Sequence, residues 1–163
     1  MNEPPLTVSI ALESPDQPEV IALIAELDAY QDALYPAESR YALDLAALRQ
    51  STVLFAVARD SSGCAIGCGA IVLCSEFGEV KRLYVSPRGR GRGVAKRLLA
   101  LLESRAHESG CELLTLETGP YQPEALALYG AAGYERRGPF GGYANDPLSV
   151  FMQKRLPARH VVS

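Results

Sequence analysis

The residues with the clearest chemical potential form a short basic segment between positions 88 and 93. Its sequence is Arg-Gly-Arg-Gly-Arg-Gly, so three guanidinium groups alternate with three residues that lack a side chain. Glycine lets the backbone adopt dihedral angles that side chains forbid, and backbone N–H groups can then converge on a ligand. Together with the arginine charges, they predict a site for an anion such as a phosphate group.

The residues on either side supply a frame for this site. Before it, the stretch from Val80 to Val85 favours an extended strand that Pro87 ends. After it, apolar residues recur at helical spacing from Val94 to Leu102. A strand, a turn and a helix in this order place the positive end of the helix dipole at the anion. The segment lacks Gly-Lys-Ser/Thr and is therefore not a P-loop.

A basic surface turn that binds nucleic acid or a phosphoprotein is the competing interpretation. The chain of 163 residues carries 16 lysines and arginines against 19 acidic residues, which gives a net charge of −3. A general nucleic-acid binder is expected to be basic overall, so this charge balance favours a local anion instead. The sequence has neither a long apolar run nor a charged leader, and we expect no membrane span and no export.

The four cysteines and two histidines give no sign of a metal site. The cysteines lack paired C-x-x-C spacing, and we expect them to be reduced thiols in a cytoplasmic protein. His107 and His160 fall at a predicted helix end and in a predicted tail, without the neighbours of a metal site or a catalytic triad. We therefore expect no metal cofactor.

The hydrophobic pattern predicts eleven elements: a strand, two helices, three strands, a helix, a strand, a helix and two strands. The first helix is expected to take Asp16 as its cap and Pro18 in its first turn. No linker or repeat is visible, so the chain is predicted to be a single domain over residues 1–163, with flexible ends near 1–5 and 157–163. A mixed α/β sheet is the compact solution for this order.

Two segments resemble the GNAT superfamily of acyl-CoA-dependent N-acyltransferases. Residues 90–95, Arg-Gly-Arg-Gly-Val-Ala, match its acyl-CoA loop, Gln/Arg-x-x-Gly-x-Gly/Ala, and a second register over 88–93 also fits. Residues 125–134 resemble its Ala-x-x-Leu-Tyr-x-x-x-Gly-Phe/Tyr segment. The order of elements is also that of the family over nearly the whole chain. The resemblance implies a mixed, mostly antiparallel central sheet of about six to seven strands, flanked by about four helices.

The resemblance also implies acetyl-CoA as co-substrate. Its pantetheine arm would pair with the backbone of Leu83, Tyr84 and Val85, as an extended ligand adds to a strand edge. Beside strands that admit such a ligand, a bulge is common. The residues expected around the pyrophosphate are Arg90, Gly91, Arg92, Gly93, Val94 and Ala95. Where the family often has a cofactor-contacting Asn, three residues before Ala125, this chain has Gln122, which keeps an amide.

Direct attack of an amine on a thioester requires a neutral amine, and therefore a base. The resemblance places Glu79 in this role, with Glu117 at the end of the next strand as the rival. A surface ion pair of Glu79 with Lys81 or Arg82 is the competing interpretation. The resemblance further implies that Tyr129 protonates the departing CoA thiolate, whereas packing in the core is its alternative role.

The acceptor pocket is predicted to form from Tyr35, Arg40, Tyr41 and Tyr143. Three functions are compatible with these residues: an N-acetyltransferase for a small amine or amino acid, a protein or peptide N-acetyltransferase, and a non-catalytic acyl-CoA sensor. Retention of both Glu79 and Tyr129 weakens the sensor hypothesis. A homodimer is compatible with the sequence, which carries no signal for or against one.

The predicted acceptor segments are aromatic and carry no acidic run, which favours a closed pocket over a groove for a basic peptide. We predict that free amino acids or similar small amines outcompete lysine-containing peptides at matched concentration. Arg40→Ala should raise KM for a carboxylate-bearing amine more than for its amide, because Arg40 would bind the carboxylate. Preferential peptide acetylation, or an equal effect on acid and amide, would contradict this assignment.

Overall fold

The computed structural model of the chain describes residues 7–36 and 45–157. The described strands are β1 (Ser9–Leu12), β2 (Val53–Arg59), β3 (Ala65–Leu73), β4 (Gly78–Val85), β5 (Leu113–Thr118), β6 (Glu135–Arg137) and β7 (Val150–Arg155). The described helices are α1 (Pro18–Leu34), α2 (Leu45–Leu48), α3 (Val94–Glu108) and α4 (Pro123–Ala131), with a 3-10 turn at Pro87–Gly89. None of these helices is long and apolar enough to cross a membrane. The predictions for Arg40, Tyr41 and the chain ends at 1–5 and 158–163 lie outside the described residues.

The strands form one seven-stranded sheet in the order β1-β2-β3-β4-β5-β7-β6. Strands β4 and β5 run parallel, because α3 crosses between them, and the other neighbouring pairs are antiparallel. The predicted element order is confirmed, and so is the prediction of a mixed, mostly antiparallel sheet with four helices.

Helix α1 begins one residue later than the sequence predicts. Gln17 is its N-cap residue and Pro18 its first helical residue, so the prediction that Asp16 caps the helix is wrong. Proline suits the first helical position because its missing N–H would have no partner there. Asp16 lies in the preceding turn, where its backbone N–H donates to Ser14 Oγ at 3.1 Å.

Helices cover the sheet on both faces. On one face, α3 packs against β2, β3 and β4 and buries Leu98, Leu99 and Leu102, which are at most 2% exposed. On the other face, α1 packs against β3 and β4 and buries Val20 and Leu23. Burial of one such side chain contributes about 1.5–3 kcal/mol to the stability of the fold. Because helices cover both faces of the sheet, we expect a ligand-binding site at the ends of the central strands.

Candidate active site

The site begins where β4 and β5 separate. The two strands pair over three residues only, Gly78–Val80 with Leu114–Leu116. Strand β4 then continues to Val85, and residues 81–85 are each intermediate in exposure. Beyond Val80 the backbone of β4 does not pair with β5 in the described structure, so an extended ligand can occupy this position.

A bulge in β4 accompanies the separation. The pairing of β3 with β4 shifts register between Cys68 and Ala70, so that Arg82 and Leu83 together face one residue of β3, Gly69. Arg82 has a positive φ of 60° at this point. Its side chain is 7% exposed, and its guanidinium group forms an ion pair with Asp28 of α1, which ties the bulge to the helix.

The arginine–glycine segment forms the turn from β4 into α3. Gly91 and Gly93 have φ values of 82° and 69°, in the left-handed region, and Gly93 is the N-cap residue of α3. The side chain of Val94 is 2% exposed and belongs to the core, so only its backbone N–H can serve a ligand. Arg90 Nε donates to the Val85 carbonyl at 3.2 Å, which holds the turn against the end of β4. Arg92 is exposed. The predicted order of strand, turn and helix is therefore present, with positive φ at the two glycines before α3.

Glu79 contacts Lys81 and Tyr143. The Tyr143 hydroxyl donates to Glu79 Oε2 at 2.5 Å, and Lys81 Nζ lies 3.3 Å from the same oxygen. Lys81 Nζ also donates to the Tyr143 hydroxyl at 2.9 Å. The side chains of Glu79 and Lys81 are only 13% and 14% exposed. The sequence predicted Tyr143 as an acceptor contact, and the structure brings its hydroxyl to the candidate base.

Glu117 lies on the same face of the sheet as Glu79. Glu79 is in register with Thr115, and alternation along β5 then places Glu117 on that face. Ser149 Oγ donates to the Glu117 carboxylate at 2.8 Å. Burial raises the pKa of Glu117 above its ordinary value, and this effect outweighs the Ser149 hydrogen bond and the nearby Lys81 charge, which lower it.

Two groups of aromatic side chains pack at the site, one with Tyr143 and one directly after β5. Phe140 contacts the ring of Tyr143 with centroids 5.0 Å apart, and Phe151 contacts both rings from β7 at 5.7 and 5.6 Å. Tyr35, directly after α1, stacks on Tyr121 with centroids 5.4 Å apart, and its hydroxyl accepts the Tyr121 backbone N–H at 3.1 Å.

Gly119 explains how Tyr35 can lie so close to the end of β5. A Cβ atom at this position would lie 1.8 Å from the Tyr35 hydroxyl oxygen, so no larger residue fits there without displacing the ring. Tyr35 is thereby brought to the loop that joins β5 to α4.

Tyr129 lies apart from this group. It is 8% exposed and packs in the main core cluster, where its ring contacts Tyr134 with centroids 5.6 Å apart. The same cluster contains Val80, whose side chain is on the opposite face of β4 from Glu79. Burial raises the pKa of Tyr129, so its hydroxyl is a weaker acid than an exposed phenol. Gln122 is the N-cap residue of α4, the helix that carries Tyr129, and makes no side-chain cap hydrogen bond.

The sequence named Lys81 only as a possible ion-pair partner of Glu79, which the structure shows it to be, and did not name Ser149. Lys81 carried a usable signal, because residues two apart on a strand share a face and Glu79 precedes it by two. Ser149 carried none, since it follows Glu117 by 32 residues in an irregular loop.

A model of the acetyltransferase (GNAT) family matches residues 20–134 of this chain. The chain therefore belongs to the GNAT family of acetyltransferases and is an acyltransferase, as the two sequence segments and the order of elements predicted.

Individual relatives agree with this assignment. The chain is 50% identical over 151 residues to an IAA acetyltransferase from Azospirillum brasilense, which covers 91% of this chain and 98% of that protein. It is 37% identical over 142 residues to the uncharacterized N-acetyltransferase YsnE of Bacillus subtilis, covering 85% and 93% of the two chains.

Solved structures show the same fold. A crystal structure of a candidate acyl-CoA N-acyltransferase from Klebsiella pneumoniae has a TM-score of 0.78 and 44% identity, and covers 91% of this chain and 97% of that chain. An N-acetyltransferase from Thermoplasma acidophilum, PaiA, solved in complex with coenzyme A, has a TM-score of 0.71 at 16% identity and covers 92% and 99% of the two chains.

The arginine–glycine turn generates a test of ligand binding. Gly93→Asp adds a negative charge at the N-terminus of α3, whereas Gly93→Asn adds a side chain of the same shape without charge. Both residues tolerate a left-handed backbone, and the position is open, so both variants should fold. Calorimetry should show acetyl-CoA binding weakened at least about tenfold, or roughly 1.4 kcal/mol, by Asp relative to Asn. Equal affinities would contradict an anion site here.

Proposed function

We propose that this protein transfers an acetyl group from acetyl-CoA to the primary amine of a small molecule or amino acid by direct attack. The observation that carries the proposal is the separation of β4 and β5, with the arginine–glycine turn at the end of β4 and two carboxylates on one face of the paired strands. An extended acyl-CoA suits the first feature, and an ammonium group suits the second. The relative with bound coenzyme A supports the choice of acyl donor by its fold.

The backbone of this chain would bind the pantetheine arm of acetyl-CoA, and the basic turn would bind its pyrophosphate. The pantetheine arm would pair with the backbone of Leu83, Tyr84 and Val85, which β5 leaves unpaired. The side chain of Tyr84 extends to α1, where its hydroxyl donates to Glu26 at 3.1 Å, so only its backbone is assigned to the pantetheine arm. The pyrophosphate would lie against residues 90–95, where Arg92 is exposed, and Gln122 would reach the ligand from the start of α4.

The acceptor would enter between Tyr35 and the loop that carries Tyr143. One of the two carboxylates, Glu79 or Glu117, would take a proton from the amine, whose nitrogen then attacks the thioester carbonyl. Arg40 and Tyr41 complete the proposed acceptor contacts. Transfer to a protein or peptide is the second candidate within the same chemistry, and an acyl-CoA sensor without catalysis is the third.

Cytoplasmic location is part of the proposal. All four cysteines are free thiols in the structure, at positions 64, 68, 74 and 111. Reduced thiols are typical of proteins in a reducing compartment. Acetyl-CoA, the proposed donor, is also chemically suited to an intracellular reaction because its own thiol product stays reduced there.

A screen of amines with acetyl-CoA, in which thiol release is measured, tests the proposed function directly. Small amines and amino acids should accelerate thiol release, and lysine-containing peptides should do so less. Acceleration by peptides alone would favour the second candidate. A release rate that no acceptor changes would favour the sensor.

Tyr129 is proposed as the acid at the leaving sulfur. Because burial raises its pKa, it would stabilise the departing thiolate mainly as a hydrogen-bond donor. Tyr129→Phe keeps the buried ring and should leave acetyl-CoA affinity nearly constant while turnover falls by roughly 100-fold. Stopped-flow thiol detection and calorimetry measure the two quantities on one preparation.

Tyr134→Phe is the matched control for this substitution. Tyr134 packs on Tyr129, but its hydroxyl donates to Glu103 at 2.7 Å in a structural contact with α3. Its loss should lower thermal stability and leave turnover of the folded enzyme unchanged. Wild-type turnover in Tyr129→Phe would return Tyr129 to the core-packing role.

A further inference from the structure

The two carboxylates of the site are bound by different partners. Glu79 Oε2 takes both the Tyr143 hydroxyl, at 2.5 Å, and the ammonium of Lys81, at 3.3 Å. Because Lys81 also donates to Tyr143 at 2.9 Å, the three side chains close a ring of contacts. One oxygen of the Glu79 carboxylate is therefore already bound within the protein, by a hydroxyl donor and by a cation.

Glu117 is in a different position. Its recorded hydrogen bond comes from Ser149 Oγ, at 2.8 Å, and among the described residues no lysine or arginine is within ion-pair distance of it. The groups that face it are Asp146 of the β6–β7 loop, Glu79 and Lys81 of β4, and the hydroxyl of Tyr35. A carboxylate without a close cation can accept an ammonium group from an acceptor.

Resting on the proposed function, we infer that Glu117 is the base that takes the proton of the acceptor, whereas Glu79, held by Tyr143 and Lys81, is a positioning residue. One loop serves both carboxylates, because Tyr143 and Ser149 both belong to the loop between β6 and β7 and donate to one carboxylate each. The contact of Glu79 with Tyr143 fixes the loop over the site. The loop in turn fixes Ser149 against Glu117.

The proton transfers balance under this division. The Glu117 carboxylate takes one proton from the acceptor ammonium and later releases it to solvent. The neutral nitrogen forms the new C–N bond at the thioester carbonyl, and collapse of the tetrahedral intermediate breaks the C–S bond. The second proton leaves the nitrogen as the amide forms and is transferred to the sulfur, which gives the amide and the free thiol. Burial, which raises the pKa of Glu117, moves it towards the range where a base works best near neutral pH.

Two amines of similar size separate the roles kinetically. Ethylamine is almost fully protonated at pH 7, whereas 2,2,2-trifluoroethylamine is largely neutral and needs no base to become nucleophilic. Glu117→Gln should lower kcat/KM for ethylamine by about 100-fold or more, and that for trifluoroethylamine far less. The loss with ethylamine should shrink as rising pH deprotonates the amine.

Glu79→Gln is the matched variant, and Tyr143→Phe removes only the hydroxyl that holds it. Both should lower kcat/KM by a similar, smaller factor for the two amines, because a positioning residue does not depend on the basicity of the acceptor. A loss in Glu79→Gln that depends on amine basicity, together with a uniform loss in Glu117→Gln, would overturn the assignment.

A titration of the full chain without substrate gives an independent readout. With glutamate carboxyl carbons labelled with ¹³C, the resonance absent from Glu117→Gln should titrate above the ordinary carboxyl range. Ser149→Ala removes a hydrogen bond that lowers this pKa, so it should move the same midpoint to higher pH. An ordinary midpoint that Ser149→Ala leaves in place would overturn the inference. If wild type acetylates neither these amines nor any acceptor in the screen, the proposed function is contradicted, whereas the titration still reports whether the pKa of Glu117 is raised as the inference requires.

Discussion

The early end of pairing between β4 and β5 is the constraint on which the rest of the structure depends. A strand that loses its neighbour exposes a row of backbone donors and acceptors, and these require a partner when they are not fully solvated. The bulge at Arg82 follows the last β4–β5 pair by two residues, and the ion pair of Arg82 with Asp28 ties it to α1. The hydroxyl of Tyr84 adds a second tie to α1 through Glu26. With β4 fixed in this way, the gap is a built feature of the fold that an extended ligand can occupy.

Charge is distributed along this gap in two opposite blocks. The arginine–glycine turn and the N-terminus of α3 form a positive end, and Glu79 and Glu117 form a region with one net negative charge beside Lys81. A net charge of −3 conceals this polarity, because the two blocks largely cancel in the sum. The acyl donor and the ammonium acceptor of the proposed function would be complementary to the two blocks. Electrostatics of this kind orients two substrates before any specific contact forms.

Local features of the sequence predicted local features of the structure, whereas the site depends on distant pairs. The turn into α3 was predictable because Gly91 and Gly93 allow positive φ and the leucines after them keep helical spacing. The misplaced cap of α1 is a local error of one residue, at the point where Pro18 fixes the first turn. The contact of Tyr143 with Glu79 joins residues 64 apart in sequence. A contact between residues so far apart in sequence cannot be predicted from periodicity or from a motif. The structure was therefore needed to infer different roles for Glu79 and Glu117.

Aromatic packing explains how one irregular loop can hold two hydrogen-bond donors in place. The rings of Phe77, Phe140, Tyr143 and Phe151 contact one another edge to face, with centroids 5.0–5.7 Å apart. Each such contact contributes about 0.5–1.5 kcal/mol beyond the buried area, which is comparable to the entropy lost by ordering a residue. The aromatic rings therefore anchor the loop to the sheet. The hydrogen bonds of Tyr143 and Ser149 need not supply the free energy that orders the loop. Under the proposed function, this anchoring separates two requirements: the gap beside β4 proposed for the acyl donor depends on backbone, and the proposed acceptor side depends on side chains of loops. Loop substitutions would then change the acceptor without disturbing the gap.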